Sequence, residues 1–370
     1  MSDGHLAVPA WSELVPGDDA DHIDRVVAAL GAEDGPADEA GTWPERLWQV
    51  VTDANATRWL LPESLDGEGC DRATLLARYA RLAEGSLTAA FILTQHDAAA
   101  RRLLPATDRP CALRWLKEIA AGRVFTTVGI SHLTTSRRYG AQALTATERG
   151  AGGYRLEGMI PWVTAALHAQ VIVTGATLAD DRQLLLALPT DRTGLTIRPP
   201  FALAALQASC TAELACEGVE VAESELLAGP QPDVLASASA AGTGGLETSA
   251  LALGQARAAL VALVAEAPKR ADLTEPVEAL AESWEQGWAA LMAAARGDAD
   301  ALPPGQIRSQ ANALVLRLTQ AYLTARKGTG FLRSDPAQRW ARQALFFLVW
   351  SCPSPVAQAA IRDLAGLCSA

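Results

Sequence analysis

The sequence contains no CxxC pair, no HxxxH or HExxH, no run of clustered basic residues and no strongly apolar start. Its six cysteines, Cys70, Cys111, Cys210, Cys216, Cys352 and Cys368, are scattered, which argues against a disulfide framework or a thiolate metal site. They read as small apolar residues of a packed interior. The five histidines are equally dispersed, so a metal centre built from protein ligands is not expected. A net charge of −11 without a basic patch gives no footprint for counterion release, which excludes nucleic acid as the expected partner. The apolar run Ala344–Trp350 falls far short of the roughly 20 residues that cross a bilayer. The opening segment MSDGHLAVPAWSELVPGDDADH lacks the basic and apolar regions of a signal peptide. A cytoplasmic protein with no membrane partner is therefore expected.

What is present is an ordinary globular mixture, 49% hydrophobic and 20% charged over 370 residues, long enough for two or three packed units. From about residue 20 to 120 the spacing is helical. Val26, Val27, Ala29 and Leu30 group on one helix, and Leu47, Val50 and Val51 follow a cap-like Thr42-Trp43-Pro44-Glu45. Leu75, Tyr79 and Leu82 mark another, and Gly85-Ser86 open the apolar LTAAFILTQHDAAARRLL. Near Gly122 the character changes to short segments rich in β-branched residues, VFTTVGIS through LTIRPP, separated by Gly, Asp and Pro clusters. This predicts an antiparallel β-domain with a hairpin at ERGAGG (148–153). Beyond ASASAAGTGG (236–245) helical periodicity returns, with Leu246, Ala250, Leu253, Leu260 and Val264 on one face. The expected fold is α+β: a helical domain over 1–122, a barrel-like β-domain over 123–232 and a helical bundle over 233–370.

Helices, a compact β-domain and then a four-helix bundle form an unusual order, and local motifs narrow it. Leu61-Pro62-Glu63, Gly85-Ser86 with His96, YRLEGMIPWVTAALHAQVIVTGA, LGQARAALVALV and GTGFLRSDPAQRWARQA follow one another along the chain. Together they resemble the acyl-CoA dehydrogenase superfamily over nearly the whole length. The resemblance implies FAD as cofactor and oxidation at the CH–CH group of an acyl thioester or related substrate. It also implies a small-molecule substrate such as an acyl-CoA, and a homodimer or homotetramer sharing its cofactor sites. Trp162, Val163 and Thr164 match the segment that packs against the flavin ring; the alternative for Trp162 is a β-domain core residue. Phe125, Thr126 and Thr127 resemble the strand that meets the flavin pyrimidine. GISHLTTS stands where the family has its phosphate-cradling loop, and its Ser131 and Thr134 receive no individual roles. His132 and Arg137-Arg138 read as loop and surface residues able to attract a phosphate. Lys327, Gly328 and Gly330 match a segment that meets the neighbouring subunit's dinucleotide; the glycines also read as helix terminators.

The resemblance fails at the chemistry. The family's proton-abstracting glutamate, counted from Arg342, falls on Ser351, whose hydroxyl is too weak a base unassisted. Some members carry that glutamate on the first helix of the bundle, a position matched here by Gly244. Glu247 lies three residues on, about one turn away, where a carboxylate is also an ordinary dipole partner. The family's RxxFG stretch is unrecognisable and QxxGGxGF is altered. Three functions therefore compete: a flavin oxidoreductase, a flavin monooxygenase on the same fold, and a flavin-free homologue acting as an interaction partner. The monooxygenase branch carries a C-terminal histidine near the flavin, and this chain has none after His168.

Overall fold

The computed structural model describes residues 8–15, 20–133, 143–150, 152–236, 245–350 and 352–367. Short polar side chains start several of its helices, satisfying donors that the first turn leaves open. Asp71 accepts from the Thr74 N–H at 2.8 Å, Ser86 from Ala89 at 3.2 Å and Asp335 from Ala337 at 2.9 Å. The N-terminal region comprises α1 (Trp11–Leu14), α2 (Ala20–Ala40), α3 (Glu45–Asp53), α4 (Arg72–Gly85), α5 (Leu87–Leu103) and α6 (Pro110–Ala120). The cap-like segment before Glu45 supplies no side-chain hydrogen bond, and Pro44 itself is the N-cap of α3.

The middle region holds β1 (Thr126–Gly129), β2 (Leu144–Arg149), β3 (Gly153–Val163), β4 (Val171–Thr177), β5 (Gln183–Pro189), β6 (Leu195–Ile197), β7 (Ala212–Ala222) and β8 (Leu226–Gln231). They pair in the order β6-β7-β3-β2-β4-β5-β8, with β1 against β4. The sheet is mixed rather than wholly antiparallel. β1 runs parallel to β4 in the register Thr126↔Val171, and β2 meets β4 in parallel at Thr145↔Thr177. Strand alternation in a sequence reports which face is buried but not strand direction. Here β3 is the connection that lets β2 and β4 point the same way. β4 is buried along its whole length. Ile172 joins the core on one face, while Val171 and Val173 pack with Leu103, Leu116 and Ile119 beneath α5 and α6.

The C-terminal region contains α7 (Leu246–Glu266), α8 (Thr274–Arg296), α9 (Pro304–Arg326), α10 (Pro336–Ala344) and α11 (Ser354–Leu364). The one-face reading of α7 is too narrow: from Thr248 to Leu260 every residue is buried. By length and composition α7 is apolar enough to cross a membrane, but most of it is buried inside this protein. Its apolar character is that of a central helix covered by α4, α8 and α9. Gly254 permits the closest approach, since a Cβ there would lie 2.0 Å from the Ala80 carbonyl oxygen of α4.

Buried polar pairs join the regions. Asp34 on α2 accepts from Ser86 at 2.6 Å and pairs with Arg339 on α10 at 2.7 Å. Arg257 on α7 binds Glu84 and the Pro9 carbonyl, and Glu84 also accepts from the Trp11 indole N–H at 2.6 Å. Breaking such a pair leaves a charge uncompensated in the interior.

Gly254→Val must push α4 and α7 apart. It is expected to lower stability by about 1–3 kcal/mol, the range for overpacking a core. The check is the midpoint of denaturant unfolding; an unchanged midpoint would contradict this packing.

Candidate active site

The sheet makes one wall of a cavity by breaking its own regularity. Between Ile160 and Val163 the pairing of β3 with β7 shifts register, and Pro161 removes a ladder donor there. Trp162 takes up a left-handed φ of 57°, which turns its ring out of the sheet. The ring is 55% exposed, which removes the core-residue reading, and it lies against Phe201 with centroids 4.8 Å apart. Val163 returns to the buried core. Thr164 is buried with its hydroxyl 3.4 Å from that of Thr211, which lies 2.9 Å from the Ser209 hydroxyl.

Trp162, Thr164, Ser209 and Thr211 line a cavity of about 610 Å³ together with Val128, Ile130 and Ser131 from the end of β1. Helices add Tyr79, Phe91, Arg101 and Arg102 from α4 and α5, Glu247 and Thr248 from α7 and Arg342 from α10, and the segment after α10 adds Phe346 and Trp350. An exposed indole beside apolar residues and a row of hydroxyls fits a flat aromatic group with a polar edge. Among the described residues no cluster of three or more His, Cys, Asp or Glu is placed to hold a metal ion.

Glu247 sits in the first turn of α7, a helix that begins at Gly245 with no side-chain cap. Its carboxylate pairs with Arg101, with 18% and 22% of the two side chains exposed. Burial pushes the Glu247 carboxyl up, but the Arg101 guanidinium and its own backbone N–H outweigh this and hold it below its ordinary value. Behind the pair, the Tyr79 hydroxyl donates to Asp97. Burial raises Asp97 to about 7 against the opposing effects of Tyr79 and Arg101. Arg101 therefore holds charge on one carboxylate and lies close to a second whose charge burial opposes.

The other candidates are distributed around this cavity. Phe125 lies outside the lining, in an aromatic group with Trp48 at 4.9 Å and Trp43 at 5.8 Å. The Thr126 N–H donates to His96 Nδ1 at 3.3 Å and its hydroxyl to the Val171 carbonyl at 3.0 Å, so both groups are engaged inside the protein. Thr127 is buried with its hydroxyl unpartnered among the described residues. His132 is not a surface residue: it is buried and donates from Nε2 to the Gly175 carbonyl at 2.6 Å. Lys327 and Gly328 are exposed at the end of α9, with Gly330 buried against Arg326, and none of the three lines the cavity. Thr134, Arg137, Arg138, Gly244 and Ser351 lie outside the described residues.

Sequence reasoning missed Arg101, Arg102, Tyr79, Asp97 and Phe346. The available signal was the pair Arg101-Arg102 closing a helix whose residues are mostly apolar and buried. Another missed element is a clamp behind the cavity. Arg308 is fully buried, donates to Asn312 at 2.8 Å and to the Trp350 carbonyl at 3.0 Å, while Asn312 donates to the Phe347 carbonyl at 2.8 Å. These bonds fix the segment on which Phe346 and Trp350 stack, with centroids 4.9 Å apart.

Arg101→Met removes the chief effect opposing burial at Glu247 and leaves only its own backbone N–H and Arg72 against it, so its folded-state pKa moves up. Asp97 moves up as well. The parent holds its stabilising contribution above the unfolded carboxylate pKa and loses it on acidification. In the variant the buried carboxylates destabilise at neutral pH, and protonation relieves this. The stability gap is expected to be widest near about pH 7 and to narrow toward about pH 4. Urea unfolding across that range measures it, and a gap independent of pH would contradict the pairing.

No family model matches the chain. It is 29% identical over 167 residues to a probable acyl-CoA dehydrogenase, YngJ, of Bacillus subtilis, covering 44% of each chain. It is 26% identical over 251 residues to benzylmalonyl-CoA dehydrogenase of Aromatoleum aromaticum, covering 65% of this chain and 64% of the relative. The matched parts thus span less than two thirds of either relative. Among solved structures, glutaryl-CoA dehydrogenase of Mycobacterium smegmatis in complex with FADH2 superposes with a TM-score of 0.79 at 20% identity, over 96% of both chains. Dibenzothiophene monooxygenase TdsC of Paenibacillus sp. A11-2 gives 0.75 at 18% identity, over 94% of this chain and 95% of that one. At such identity these structures speak to fold, and the two enzymes act differently on it. The chain thus has the fold of the acyl-CoA dehydrogenases and, over part of its length, sequence similarity to two of them.

Proposed function

We propose that the protein is a flavin-dependent oxidoreductase acting on the CH–CH group of an acyl thioester or related substrate, with Glu247 as the proton acceptor. The observation that carries this reading is that Glu247, Trp162 and Thr164 line one cavity. FAD is the cofactor that the superfamily supplies, and the FADH2 complex of the glutaryl-CoA dehydrogenase supports its place on this fold. When bound, it provides a two-electron acceptor for hydrogen leaving the substrate.

Trp162 would offer its ring to the flavin and Thr164 a hydroxyl to the polar edge, with Val128–Ser131 alongside. Glu247 accepts the substrate's α-proton on a carboxylate oxygen, a step that needs its ionised form. Arg101 keeps it ionised and fixes its direction. Phe91, Val128, Ile130, Phe346 and Trp350 exclude water and so strengthen electrostatic interactions within the cavity. Lys327, Gly328 and Gly330 would serve a cofactor held by a second copy of the chain. Phe331 beside them is 80% exposed and Leu332 57%, apolar surface suited to burial in a homodimer or homotetramer.

The ion pair with Arg101 also favours a second reading, because a carboxylate so engaged is not free to take a proton. On that reading the site is a monooxygenase, or a silent homologue, and Glu247 is structural.

The purified protein is expected to be yellow or to take up added FAD, and to be bleached anaerobically by an acyl-CoA from a panel of chain lengths. Glu247→Gln should keep the flavin and slow bleaching by at least about 100-fold, the lower range for losing a general base. Undiminished bleaching in this variant would remove Glu247 from the chemistry. A colourless protein that takes up no FAD would overturn the flavin reading altogether.

A further inference from the structure

Two arginines close α5 at the cavity, and only one of them has an acidic partner. Arg101 is bound to Glu247. Arg342, the third guanidinium in the lining, is bound to Asp38 at 2.5 Å and to the Ala204 carbonyl at 3.0 Å. Arg102 donates from Nη1 to the Ala98 carbonyl of its own helix at 2.7 Å, and among the described residues it has no ion pair. Burial pulls its guanidinium down to about 10, and Arg101 beside it acts in the same direction while Glu247 opposes them weakly. With Arg101 set against Glu247 and Arg342 against Asp38 behind the lining, Arg102 is the lining charge left without an acidic partner among the described residues, in a chain whose net charge is −11.

A largely buried charge is costly unless something pairs with it. The end of α5 offers Arg102 a helix carbonyl and the favourable end of a dipole, which offset only part of that cost. A guanidinium retains a planar fork of donors that matches a carboxylate in two-point contact. We infer that the acyl substrate carries a carboxylate of its own, remote from the thioester, and that this carboxylate docks on Arg102. The inference rests on the thioester reading above and sharpens it to a substrate class, the ω-carboxylated acyl thioesters. It also gives the Glu247–Arg101 pair a purpose. With Arg101 neutralised, the incoming carboxylate is directed to Arg102, and Glu247 is left at the other end of the pair to face the acyl chain.

The test uses flavin-loaded protein and two non-oxidisable thioether analogues of acyl-CoA, equal in length, one ending in a methyl group and the other in a carboxylate. Calorimetric titration is expected to give the carboxylate-ended analogue at least about tenfold tighter binding, in keeping with a hydrogen bond to a charged group. In Arg102→Met the difference should collapse to about twofold or less, and in Arg102→Lys it should survive in part. Arg102→Gln replaces the Met variant if that one fails to fold. Equal binding of the two analogues by the parent overturns the inference and leaves the thioester reading standing. A preference that persists in the Met and Gln variants also overturns it. Loss of flavin affinity with discrimination intact assigns Arg102 to a cofactor phosphate instead, and overturns it too. Binding of neither analogue by flavin-loaded protein sinks the thioester reading, and the inference with it.

Discussion

Helix α7 is enclosed by protein along most of its length, and the positions of charge around it follow from that constraint. A helix covered from Thr248 to Leu260 cannot place a carboxylate in its middle without a buried partner. Where α7 does carry charge, at Arg257, Glu84 sits opposite it. Glu247 precedes the enclosed stretch by one residue, at the end where unsatisfied backbone N–H groups favour a negative charge. That end opens on the cavity. The contact between Gly254 and α4 fixes how deeply α7 sits, and hence where its first turn presents Glu247 to Arg101.

The facing wall depends on a different irregularity. An uninterrupted β3 would alternate its side chains strictly between the two faces of the sheet. Pro161 and the register shift end that alternation and put Trp162 into a left-handed conformation that a bulky residue adopts only under constraint. The neighbours supply the constraint: Val163 is anchored in the core and Thr164 in the hydroxyl row with Thr211 and Ser209. Strain at one residue leaves a large ring exposed at the cavity, a costly arrangement in water that a flat apolar ligand would relieve.

Much of this was legible in the chain. Apolar spacing and glycine–proline punctuation marked helices, then strands, then helices, because those signals are local. The parallel pairing of β1 with β4 was not legible, since it depends on which strands the connections bring together. The full enclosure of α7 was hidden for the same reason, because covering a helix on all sides is a property of its neighbours. In the site, Trp162 and Thr164 stood out through their motif, and Glu247 through its place near a helix start. Arg101, Asp97 and Tyr79 did not. A charged residue in an apolar helix looks like a surface residue until its partner is known, and Glu247 lies far along the chain from Arg101. His132 misled in the opposite sense, as a polar loop residue that is in fact buried on the Gly175 carbonyl.

The segment after α10 is held at the cavity by its main chain. Leu345–Leu348 forms a tight turn of helix, and the carbonyls of Phe347 and Trp350 are held by Asn312 and Arg308 from α9. Burial draws Arg308 down to about 10, with no carboxylate paired to it among the described residues, so its interior position depends on carbonyl and amide partners. That clamp positions the stacked rings of Phe346 and Trp350 through main-chain atoms alone. A wall held by its backbone does not require a particular side chain at the next position. The acidic residue of the described lining is Glu247, in the first turn of α7, and Arg101 is the cation that holds it.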